Sequence, residues 1–487
     1  MNLPLTLGEL KHSGYLYQTV KDELRNNLIH AVRNNQTIFA GILGYEDTVI
    51  PDVQRAILSR HNILFLGLRG QAKTKLARLM TQLLDEYIPV VKGSEINDHP
   101  LHPISKFAQD KIRNEGDDAE IEWIHRSQRY IEKLATPDVS VADLIGDLDP
   151  IKAANLKLPY SDERVLHFGL IPRSHRSIFV INELPDLQPR IQVGLFNILQ
   201  EGDIQIRGFK VRLPLDILFV FTANPEDYTN RGSIITPLKD RIESQILTHY
   251  PVQLETSQAI TSQEAQIPDE QKQNVYIPDL VRRILERISF KARDSEFVDP
   301  KSGVSARLSI SGLENLYSTA ELRMLKNKET STTIRLTDFW GVIPSITGKI
   351  ELVYEGEQEG HYNVAIKLLG QAIKDEFLTI FPHPSKEEKK EKNDLYLAIR
   401  HYFSDGNQVV FSNDDADSIY KDNLTSIKGL LTAIKAIKVD PKDEDVYMEL
   451  ILHALAEFNI LNKEIVGNEL TFNDILANML DDLDEED

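Results

Sequence analysis

Three short apolar runs constrain the fold of this chain more than any other feature. They are NILFLGL (62–68), SIFVINEL (177–184) and ILFVFTAN (217–224). Each is rich in β-branched or aromatic residues and apolar throughout, which is typical of strands buried on both faces of a parallel sheet. Helical patterns over 73–87 and 189–202 separate them. Strands that alternate with helices predict a doubly wound α/β domain.

The rest of the chain has a different pattern. Its 487 residues allow about three domains;. Amphipathic spacing predicts helices near the start, residues 88–127 are polar and predict an irregular insertion, and helical patterns dominate after residue 254. The predicted organisation is an N-terminal helical segment (1–40), an α/β domain (41–254), a helical lid domain (255–380), a charged linker (381–394), a small helical C-terminal domain (395–480) and an acidic tail (481–487).

Composition excludes several classes of protein. Hydrophobic residues make up 41% of the chain and charged residues 27%, which suits a globular protein with a full core. The net charge of −20 repels a phosphate backbone, so general nucleic-acid binding is disfavoured;. The absence of cysteine excludes disulfides and cysteine-ligated metals and favours a cytoplasmic location;. No apolar run is long enough to span a membrane and the N-terminus lacks the order of a signal peptide, so we expect no membrane insertion.

The stretch GLRGQAKT (67–74) follows the first apolar run and opens a helix. This context suits a loop whose backbone N–H groups, helix start and one lysine bind a triphosphate. Lys73 would reach the β- and γ-phosphates, and Thr74 would offer its hydroxyl to Mg²⁺. An ordinary strand–turn–helix with a chance Lys-Thr pair is the alternative. The candidate nucleotide-binding residues of the loop are Gly67, Arg69, Gly70, Gln71, Ala72, Lys73 and Thr74.

Ala72 stands where the usual pattern G-x-x-x-x-G-K-[ST] has its last glycine;. Alanine adds one methyl group. The substitution is tolerable if residue 72 already lies in the first helical turn with helical dihedrals, and we therefore expect such dihedrals there.

The second apolar run ends in Asn182-Glu183. Hydrolysis needs a carboxylate near the γ-phosphate that orients a water, and Glu183 is placed for that role. Asn182 occupies the position of an acid that would serve Mg²⁺, and an amide oxygen accepts hydrogen bonds from metal-bound water more weakly. We therefore expect slower turnover or weaker Mg²⁺ affinity. The alternative is a strand-end acid without a role.

Three further polar residues are candidates for contacts with the γ-phosphate. Asn224 ends the third run beside the strand of Glu183. Arg241, in TPLKDRI, lies near a helix end and could reach the γ-phosphate of a neighbouring subunit, although an ion pair with Asp240 is the alternative;. Arg307, in GVSARLSI, lies near a helix start and could contact the phosphates from a lid. A solvated arginine is its alternative.

Taken in order, GLRGQAKT, IFVINELPDL, FTANPEDYTNRG, TPLKDRI and GVSARLSI resemble the AAA+ ATPases of the magnesium-chelatase I-subunit and MoxR branch. Two connecting stretches agree: HFGLIPRSHRSIFVINE, before the second nucleotide motif, and LQEGDIQIRGFKVRLPLDILFVFTANP, which resembles a β-hairpin before the first sensor. The resemblance covers roughly residues 40–380.

The resemblance implies an α/β P-loop AAA+ core with a parallel five-stranded sheet, an insertion near 142–169, and an all-helical lid. It implies ATP and Mg²⁺ as cofactors, a hexameric ring of identical subunits, and a protein partner, often one with a von Willebrand A domain. It gives Lys73 and Thr74 to phosphate and Mg²⁺, Glu183 to the water, Asn224 to the first sensor, Arg241 to the trans arginine finger and Arg307 to the second sensor.

Two hypotheses follow for the function. The first is an ATP-hydrolysing ring motor that remodels or activates a protein partner. The second, motivated by Ala72 and Asn182, is a nucleotide-gated assembly scaffold with little turnover. Two other signals were assigned no function: His99 and His102 in a proline-containing loop, and the acidic group SNDDADS (412–418), which we interpret as a solvated turn because the later ligands of a calcium loop are missing;.

Overall fold

The computed structural model describes residues 3–159, 162–205, 212–225, 233–384 and 394–475. The chain forms two compact units, Met1–His249 and Tyr250–Asp487. The predicted acidic tail and most of the predicted charged linker lie outside the described residues. No helix in the described part of the chain is long and apolar enough to cross a membrane.

A five-stranded sheet forms the centre of the first unit. The order of its strands is β11 (Ser244–Leu247), β1 (Ile63–Leu66), β10 (Ile217–Ala223), β7 (Ser177–Asn182) and β4 (Tyr130–Leu134), and every neighbouring pair is parallel. The predicted α/β fold with a parallel five-stranded sheet is confirmed. The strands of this unit are β1 (Ile63–Leu66), β2 (Tyr87–Val91), β3 (Ile121–His125), β4 (Tyr130–Leu134), β5 (Gly146–Leu148), β6 (Leu166–Phe168), β7 (Ser177–Asn182), β8 (Asp203–Gln205), β9 (Arg212–Pro214), β10 (Ile217–Ala223) and β11 (Ser244–Leu247).

Both faces of this sheet are covered, because alternate side chains of one strand enter different hydrophobic cores. Ile63 and Phe65 pack with the helices of residues 20–58, while Leu64 packs on the opposite face with the helix Pro189–Glu201. The helices of this unit are Leu7–His12, Val20–Arg33, Val49–Leu58, Lys73–Leu79, Lys106–Glu115, Val141–Leu144, Pro150–Leu156, Leu170–Arg173, Pro189–Glu201 and Thr236–Lys239.

Three small antiparallel pairs extend this core. β2 pairs with β3, and the helix Lys106–Glu115 lies between them in sequence. The prediction of an irregular segment over 88–127 was therefore wrong. β5 pairs with β6 around the helix Pro150–Leu156, within the insertion predicted near 142–169. β8 pairs with β9, as the predicted hairpin requires, although its tip lies outside the described residues.

The second unit is mainly helical and has one continuous hydrophobic core, whose buried members run from Val275 to Phe472. The predicted lid and C-terminal domains therefore share a core. The helices are Leu254–Glu264, Asp269–Asn274, Asp279–Asp294, Arg307–Lys326, Ile343–Thr347, Tyr354–Glu359, His361–Ile380, Leu397–Ser404, Asp417–Ser426, Leu430–Lys435 and Glu444–Glu457. The strands are β12 (Val275–Tyr276), β13 (Thr332–Thr333), β14 (Val409–Ser412), β15 (Leu461–Val466) and β16 (Glu469–Asp474).

The strands of this unit were not predicted from the sequence. β14, β16 and β15 form a three-stranded antiparallel sheet beside the C-terminal helices, and β12 and β13 form a short parallel pair. Each of β14 and β16 has only one apolar face, with side chains buried at alternate positions such as Val409 and Phe411. The helical patterns before and after these strands led to the prediction of an entirely helical C-terminal domain.

The acidic group at 414–417 is only partly the solvated turn that was predicted from the sequence, because Asp414 lies exposed in a turn but Asp417 contacts buried arginines. Asp417 accepts hydrogen bonds from Arg323 at 2.9 Å and from Thr332 at 2.9 Å, and it also pairs with Arg335. Asp414 pairs with Lys326 at 2.8 Å. Because Arg323 and Arg335 are both almost fully buried, the Asp417 carboxylate neutralises charges inside the second unit, whereas the Asp414 ion pair is exposed;.

Candidate functional site

The loop between β1 and the helix Lys73–Leu79 begins at the carboxyl end of a central strand. Gly70 has φ of 72°, in the left-handed region that glycine adopts readily;. Ala72, the residue before the helix, has φ of 55° and ψ of 18° and is also left-handed. The expectation of helical dihedrals at Ala72 was therefore wrong. The backbone has the conformation that suits the missing glycine, and an alanine there is strained.

Gly67 allows the close packing that fixes the start of the loop. A Cβ atom on it would lie 2.0 Å from Thr248 Oγ1 and 2.2 Å from Gln71 Oε1. Those two side chains hydrogen-bond to each other at 2.6 Å, and the Tyr45 hydroxyl donates to the Gln71 carbonyl at 3.0 Å. The loop is thus tied to the end of β11, with Gln71 buried beneath it and Arg69 exposed.

Lys73 and Asn224 meet at the carboxyl edge of the sheet. The Lys73 ammonium donates to Asn224 Oδ1 at 2.8 Å, to the Leu68 carbonyl at 3.0 Å and to the Gly67 carbonyl. Both side chains are buried, at 7% and 6% exposure. The predicted phosphate-binding lysine and the predicted first sensor therefore lie in direct contact, although 151 residues separate them.

Asn182, at the end of β7, links the helix after the loop to the neighbouring strand. Its Oδ1 accepts hydrogen bonds from Thr74 Oγ1 at 3.3 Å and from Thr222 Oγ1 at 3.1 Å. Thr222 Oγ1 in turn accepts a hydrogen bond from the Glu183 N–H at 3.1 Å. The structure thus brings Thr74, Asn182 and the backbone of Glu183 together around a buried threonine.

Glu183 follows directly on β7 with φ of 54° and ψ of 52°, a left-handed conformation that is uncommon for a residue other than glycine;. A short 3₁₀ turn, Leu184–Asp186, comes next. Backbone strain of this kind is often found at functional sites, where the surrounding structure maintains it. Here the hydrogen bond from the Glu183 N–H to Thr222 supports it.

Thr222, Thr248 and Glu132 are residues of the site that were not predicted from the sequence. Glu132 lies on the edge strand β4, and its Oε1 accepts a hydrogen bond from Asn182 Nδ2 at 2.5 Å. The signal for Thr222 was present in the stretch FTAN, where a hydroxyl precedes Asn224 by two positions. Glu132 had no comparable signal, because β4 itself was not recognised as a strand.

The two arginines that were predicted to contact phosphates are both at least partly exposed to solvent within one chain. Arg241 pairs with Asp240, the alternative that its neighbour suggested, and its guanidinium carbon lies 5.3 Å from the centre of the Phe196 ring. Its side chain is 37% exposed. Arg307 begins the helix Arg307–Lys326 in the second unit and is exposed. The role of each arginine in a ring stays a prediction.

His99 and His102, the histidines that were assigned no function, lie in an aromatic cluster. The His99 ring stacks on Tyr15 with a centroid distance of 5.8 Å, and its Nδ1 accepts a hydrogen bond from the Leu101 N–H. Burial lowers the His99 pKa to about 2, and the charge of Arg176 acts in the same direction. Among the described residues, no group of three or more His, Asp or Glu side chains is arranged to hold a metal ion.

The donor set at the carboxyl edge suits a magnesium nucleotide. A lysine ammonium lies beside a glycine-containing loop, as triphosphate binding requires;. A hydroxyl, an amide oxygen and a carboxylate, on Thr74, Asn182 and Glu183, come from the same edge of the sheet. Oxygen atoms of these kinds are the ligands and water-binding groups that Mg²⁺ prefers.

Comparison with known proteins finds distant similarities only. No protein-family model matches the chain. Among solved structures, the chain is similar to the complex of magnesium chelatase subunits BchI and BchD, with 18% identity, a TM-score of 0.34, and coverage of 66% of this chain and 98% of that chain.

Two further structures are similar over a large part of the chain. One is the closed state of Hsp104 with ATPγS and casein, with 15% identity, a TM-score of 0.37, and coverage of 69% of this chain and 52% of that chain. The other is the RuvB Holliday junction branch migration motor of Thermotoga maritima, with 10% identity, a TM-score of 0.33, and coverage of 83% and 93%. Similarities this distant assign no activity to the chain.

Proposed function

We propose that this chain binds ATP with Mg²⁺ at the carboxyl edge of its five-stranded sheet and hydrolyses the γ-phosphate bond. One observation carries the proposal. The Lys73 ammonium, at the end of a glycine-containing loop, lies 2.8 Å from Asn224 Oδ1, next to the strand end that bears Asn182 and Glu183. An ordinary strand–turn–helix gives no reason for these side chains to converge.

Binding would depend on the loop and on two residues that follow it. The Lys73 ammonium would move from its carbonyl partners to the β- and γ-phosphate oxygens, and the loop from Gly67 to Ala72 would surround the phosphates with N–H groups. The Thr74 hydroxyl and Asn182 Oδ1 would hold Mg²⁺ directly or through water. When bound, Mg²⁺ neutralises the charge that develops on the phosphate oxygens.

Hydrolysis would depend on residues at the ends of β7 and β10. The Glu183 carboxylate would accept a proton from the attacking water and orient its oxygen toward the γ-phosphorus. The Asn224 amide would hold the same water and a γ-phosphate oxygen. Thr222 would position Glu183 through the backbone hydrogen bond described above. A bond between the water oxygen and the γ-phosphorus would form as the bond from the γ-phosphorus to the β–γ bridging oxygen breaks, with ADP as the leaving group and inorganic phosphate as the other product.

The motor would be a ring of identical subunits of the magnesium-chelatase I-subunit or MoxR type, with hexamers as the expected state. In such a ring Arg241 would leave Asp240 and contact the γ-phosphate of the adjacent subunit, and Arg307 would contact the phosphates from the lid. The ring would remodel or activate a protein partner, for which a von Willebrand A domain protein is the candidate. The motif order given in the sequence analysis supports this assignment.

Steady-state release of phosphate from ATP tests the catalytic part of the proposal. We expect hydrolysis in the wild type, and a loss of about 10²-fold or more in Glu183→Gln with nucleotide binding retained. Glu86→Gln, at an exposed site elsewhere in the first unit, is the matched control and should hydrolyse like the wild type. Equal rates in the wild type and Glu183→Gln would remove Glu183 from the mechanism.

A nucleotide-gated scaffold is the second candidate. It would bind ATP and assemble, with negligible turnover. The strained Ala72 and the amide at Asn182, where a carboxylate would serve Mg²⁺ better, favour it. Analytical ultracentrifugation with ATP, run in parallel with phosphate release, separates the two functions. Assembly without phosphate release supports the scaffold, and phosphate release by the assembled ring supports the motor.

A further inference from the structure

The Asn182 side chain has only one orientation that satisfies its neighbours. Its amide nitrogen faces Glu132 Oε1 at 2.5 Å, and its amide oxygen faces the hydroxyls of Thr74 and Thr222. An ionised carboxylate only accepts hydrogen bonds, whereas a hydroxyl can also donate one. If the amide were turned over, its oxygen would face the carboxylate without a proton between them.

This contact explains why residue 182 is an amide. An aspartate in the same place would put a carboxylate oxygen against that of Glu132, and two carboxylates so close cannot both stay ionised. Asn182 and Glu132 therefore form a matched pair across β7 and β4. The amide is on β7, and the negatively charged carboxylate is on β4.

The Glu132 carboxylate is itself held in place on its other oxygen. Oε2 accepts a hydrogen bond from the Arg78 guanidinium at 3.0 Å and from the Tyr130 hydroxyl at 2.9 Å. Arg78 belongs to the helix Lys73–Leu79, which begins at the phosphate-binding loop. The carboxylate is thus connected to Thr74 by two routes, through Asn182 and through the helix.

Resting on the function proposed above, we infer that Glu132 is a positioning residue for the Mg²⁺ of the bound nucleotide and acts through Asn182. Its carboxylate fixes the amide so that Oδ1 points to Thr74. The charge-assisted hydrogen bond to Nδ2 also polarises the amide and makes Oδ1 a stronger acceptor for the metal or its waters. Carboxylates behind histidine ligands have a comparable effect on zinc sites.

The test measures the Mg²⁺ concentration that gives half-maximal binding of a fluorescent ATP analogue. Glu132→Gln keeps the size of the side chain and removes its charge, and we expect it to raise that concentration about tenfold. Asn182→Asp should raise it as well, because the two carboxylates compete. The double variant Asn182→Asp, Glu132→Gln should return to within about twofold of the wild type, since one carboxylate and one amide are again paired.

This rescue separates positioning from simple structural support. If Glu132 only stabilised the sheet edge, the two substitutions would add and the double variant would have the highest Mg²⁺ requirement. Glu86→Gln makes the same substitution at an exposed site outside this network, and it should bind with the Mg²⁺ requirement of the wild type. Thermal unfolding of each variant checks that it is folded.

Binding of the analogue by the wild type, with Mg²⁺ and with EDTA, distinguishes the two proposals. If the wild type binds in neither condition, the proposed function fails, and this inference fails with it. If the wild type binds and requires Mg²⁺ but Glu132→Gln has the same requirement, the inference alone is overturned. A raised requirement in both single variants with recovery in the double variant supports it.

Discussion

The two edges of the five-stranded sheet are both polar, but they satisfy their polar groups in different ways. At the amino edge, the residue just before each strand is polar, and these residues are Asn62, Arg129, Arg176, Asp216 and Glu243. At the carboxyl edge, Lys73, Thr74, Asn182, Thr222 and Asn224 come together next to Glu183.

At the amino edge the partners come from the surrounding framework. Arg129 donates to both carboxylate oxygens of Glu23 at 2.6 Å, and Arg176 donates to the Pro89 carbonyl at 2.7 Å. Asp216 accepts from the Val20 N–H at 2.8 Å. These bonds tie the first long helix and β2 to the sheet, so we interpret the amino edge as structural.

At the carboxyl edge the contacts join residues that are far apart in sequence through short polar side chains. The hydroxyls of Thr74 and Thr222 both donate to the Asn182 amide oxygen. The Lys73 ammonium donates to the amide oxygen of Asn224. Parallel α/β sheets bind ligands at the carboxyl ends of their strands. The comparison therefore predicts that substitutions at the amino edge lower stability and that substitutions at the carboxyl edge lower nucleotide affinity or hydrolysis.

The largest expected effect is at the amino edge. Glu23→Ala leaves the guanidinium of Arg129 buried without its carboxylate, and we expect a loss of about 3–5 kcal/mol in the free energy of unfolding. Chemical denaturation measures it. The adjacent Asp22→Ala removes a partly exposed ion pair with Arg60 and should cost at most about 1 kcal/mol;. Equal losses in the two variants would contradict the structural role of the amino edge.

A smaller change in free energy is expected at the carboxyl edge, and it should affect the rate instead of stability. Asn224→Ala should slow ATP hydrolysis by about 10²-fold, because the water and the γ-phosphate lose a preorganised partner. Stability should change by about 1 kcal/mol or less, since the Leu68 carbonyl still accepts a hydrogen bond from Lys73;.

Asn62→Ala is the matched control for Asn224→Ala, because it removes a buried asparagine from the opposite edge. Asn62 Oδ1 accepts a hydrogen bond from the Phe219 N–H at 3.1 Å. Its loss should cost about 1–3 kcal/mol of stability and leave the rate per folded molecule unchanged. If Asn62→Ala slowed hydrolysis as much as Asn224→Ala, the two edges would not differ in the way proposed.

The pH dependence of stability tests the amino edge in another way. Asp216 and its neighbour His175, whose Nδ1 accepts a hydrogen bond from the Asp216 N–H at 2.9 Å, titrate with opposite effects. Burial lowers the pKa of His175 to about 3, and burial raises the pKa of Asp216 to about 6. His175 stabilises the fold above pH 6.5, and this contribution is lost as the pH falls toward 3;. The contribution of Asp216 is complete below pH 3.8 and is lost as the pH rises through 6;.

Asp216→Asn removes one of these opposing contributions and keeps an acceptor for the Val20 N–H. We expect the free energy of unfolding of the variant to fall, relative to the wild type, by up to about 1.4 kcal/mol for each pH unit from 6 to 4. Denaturation curves at several pH values measure this difference. Curves that stay parallel from pH 7 to pH 4 would contradict a buried carboxylate at the amino edge.

Much of the fold could be predicted from the sequence because the central strands are apolar throughout. β1, β7 and β10 lie inside the sheet and were recognised. β4 and β11 are its edge strands, and polar residues interrupt their apolar pattern: Glu132 and Lys133 in β4, and Ser244 and Gln245 in β11. Missing β4 also meant missing Glu132, since a residue on an unrecognised strand could not be aligned with Asn182.

The candidate site was predictable where each motif bears its own chemistry. Lys73, Thr74, Asn182 and Asn224 meet as their motifs suggest. The individual hydrogen bonds between side chains of different motifs were not predictable. A bond such as that from Thr222 to Asn182 depends on the order and the register of the strands. The backbone of Ala72 was also wrongly predicted, because the turn geometry there overrides the preference of alanine.

The smallest expected effect concerns that residue. Ala72→Gly should relieve the left-handed strain, which costs an alanine about 1–2 kcal/mol. Part of the gain is offset because glycine makes the unfolded chain more flexible, by about 0.4–1 kcal/mol. We therefore expect the free energy of unfolding to rise by about 0.5–1 kcal/mol, measured by chemical denaturation.

Ala77→Gly, in the helix that follows, provides the opposite case. Ala77 is buried in a right-handed helix, where glycine is unfavourable by about 1 kcal/mol before any loss of packing;. The same substitution should thus stabilise the chain at one position and destabilise it five residues later. If Ala72→Gly also destabilised the chain, the loop would depend on the alanine methyl group for packing. The left-handed backbone at residue 72 would then not indicate a position that suits the glycine of a phosphate-binding loop.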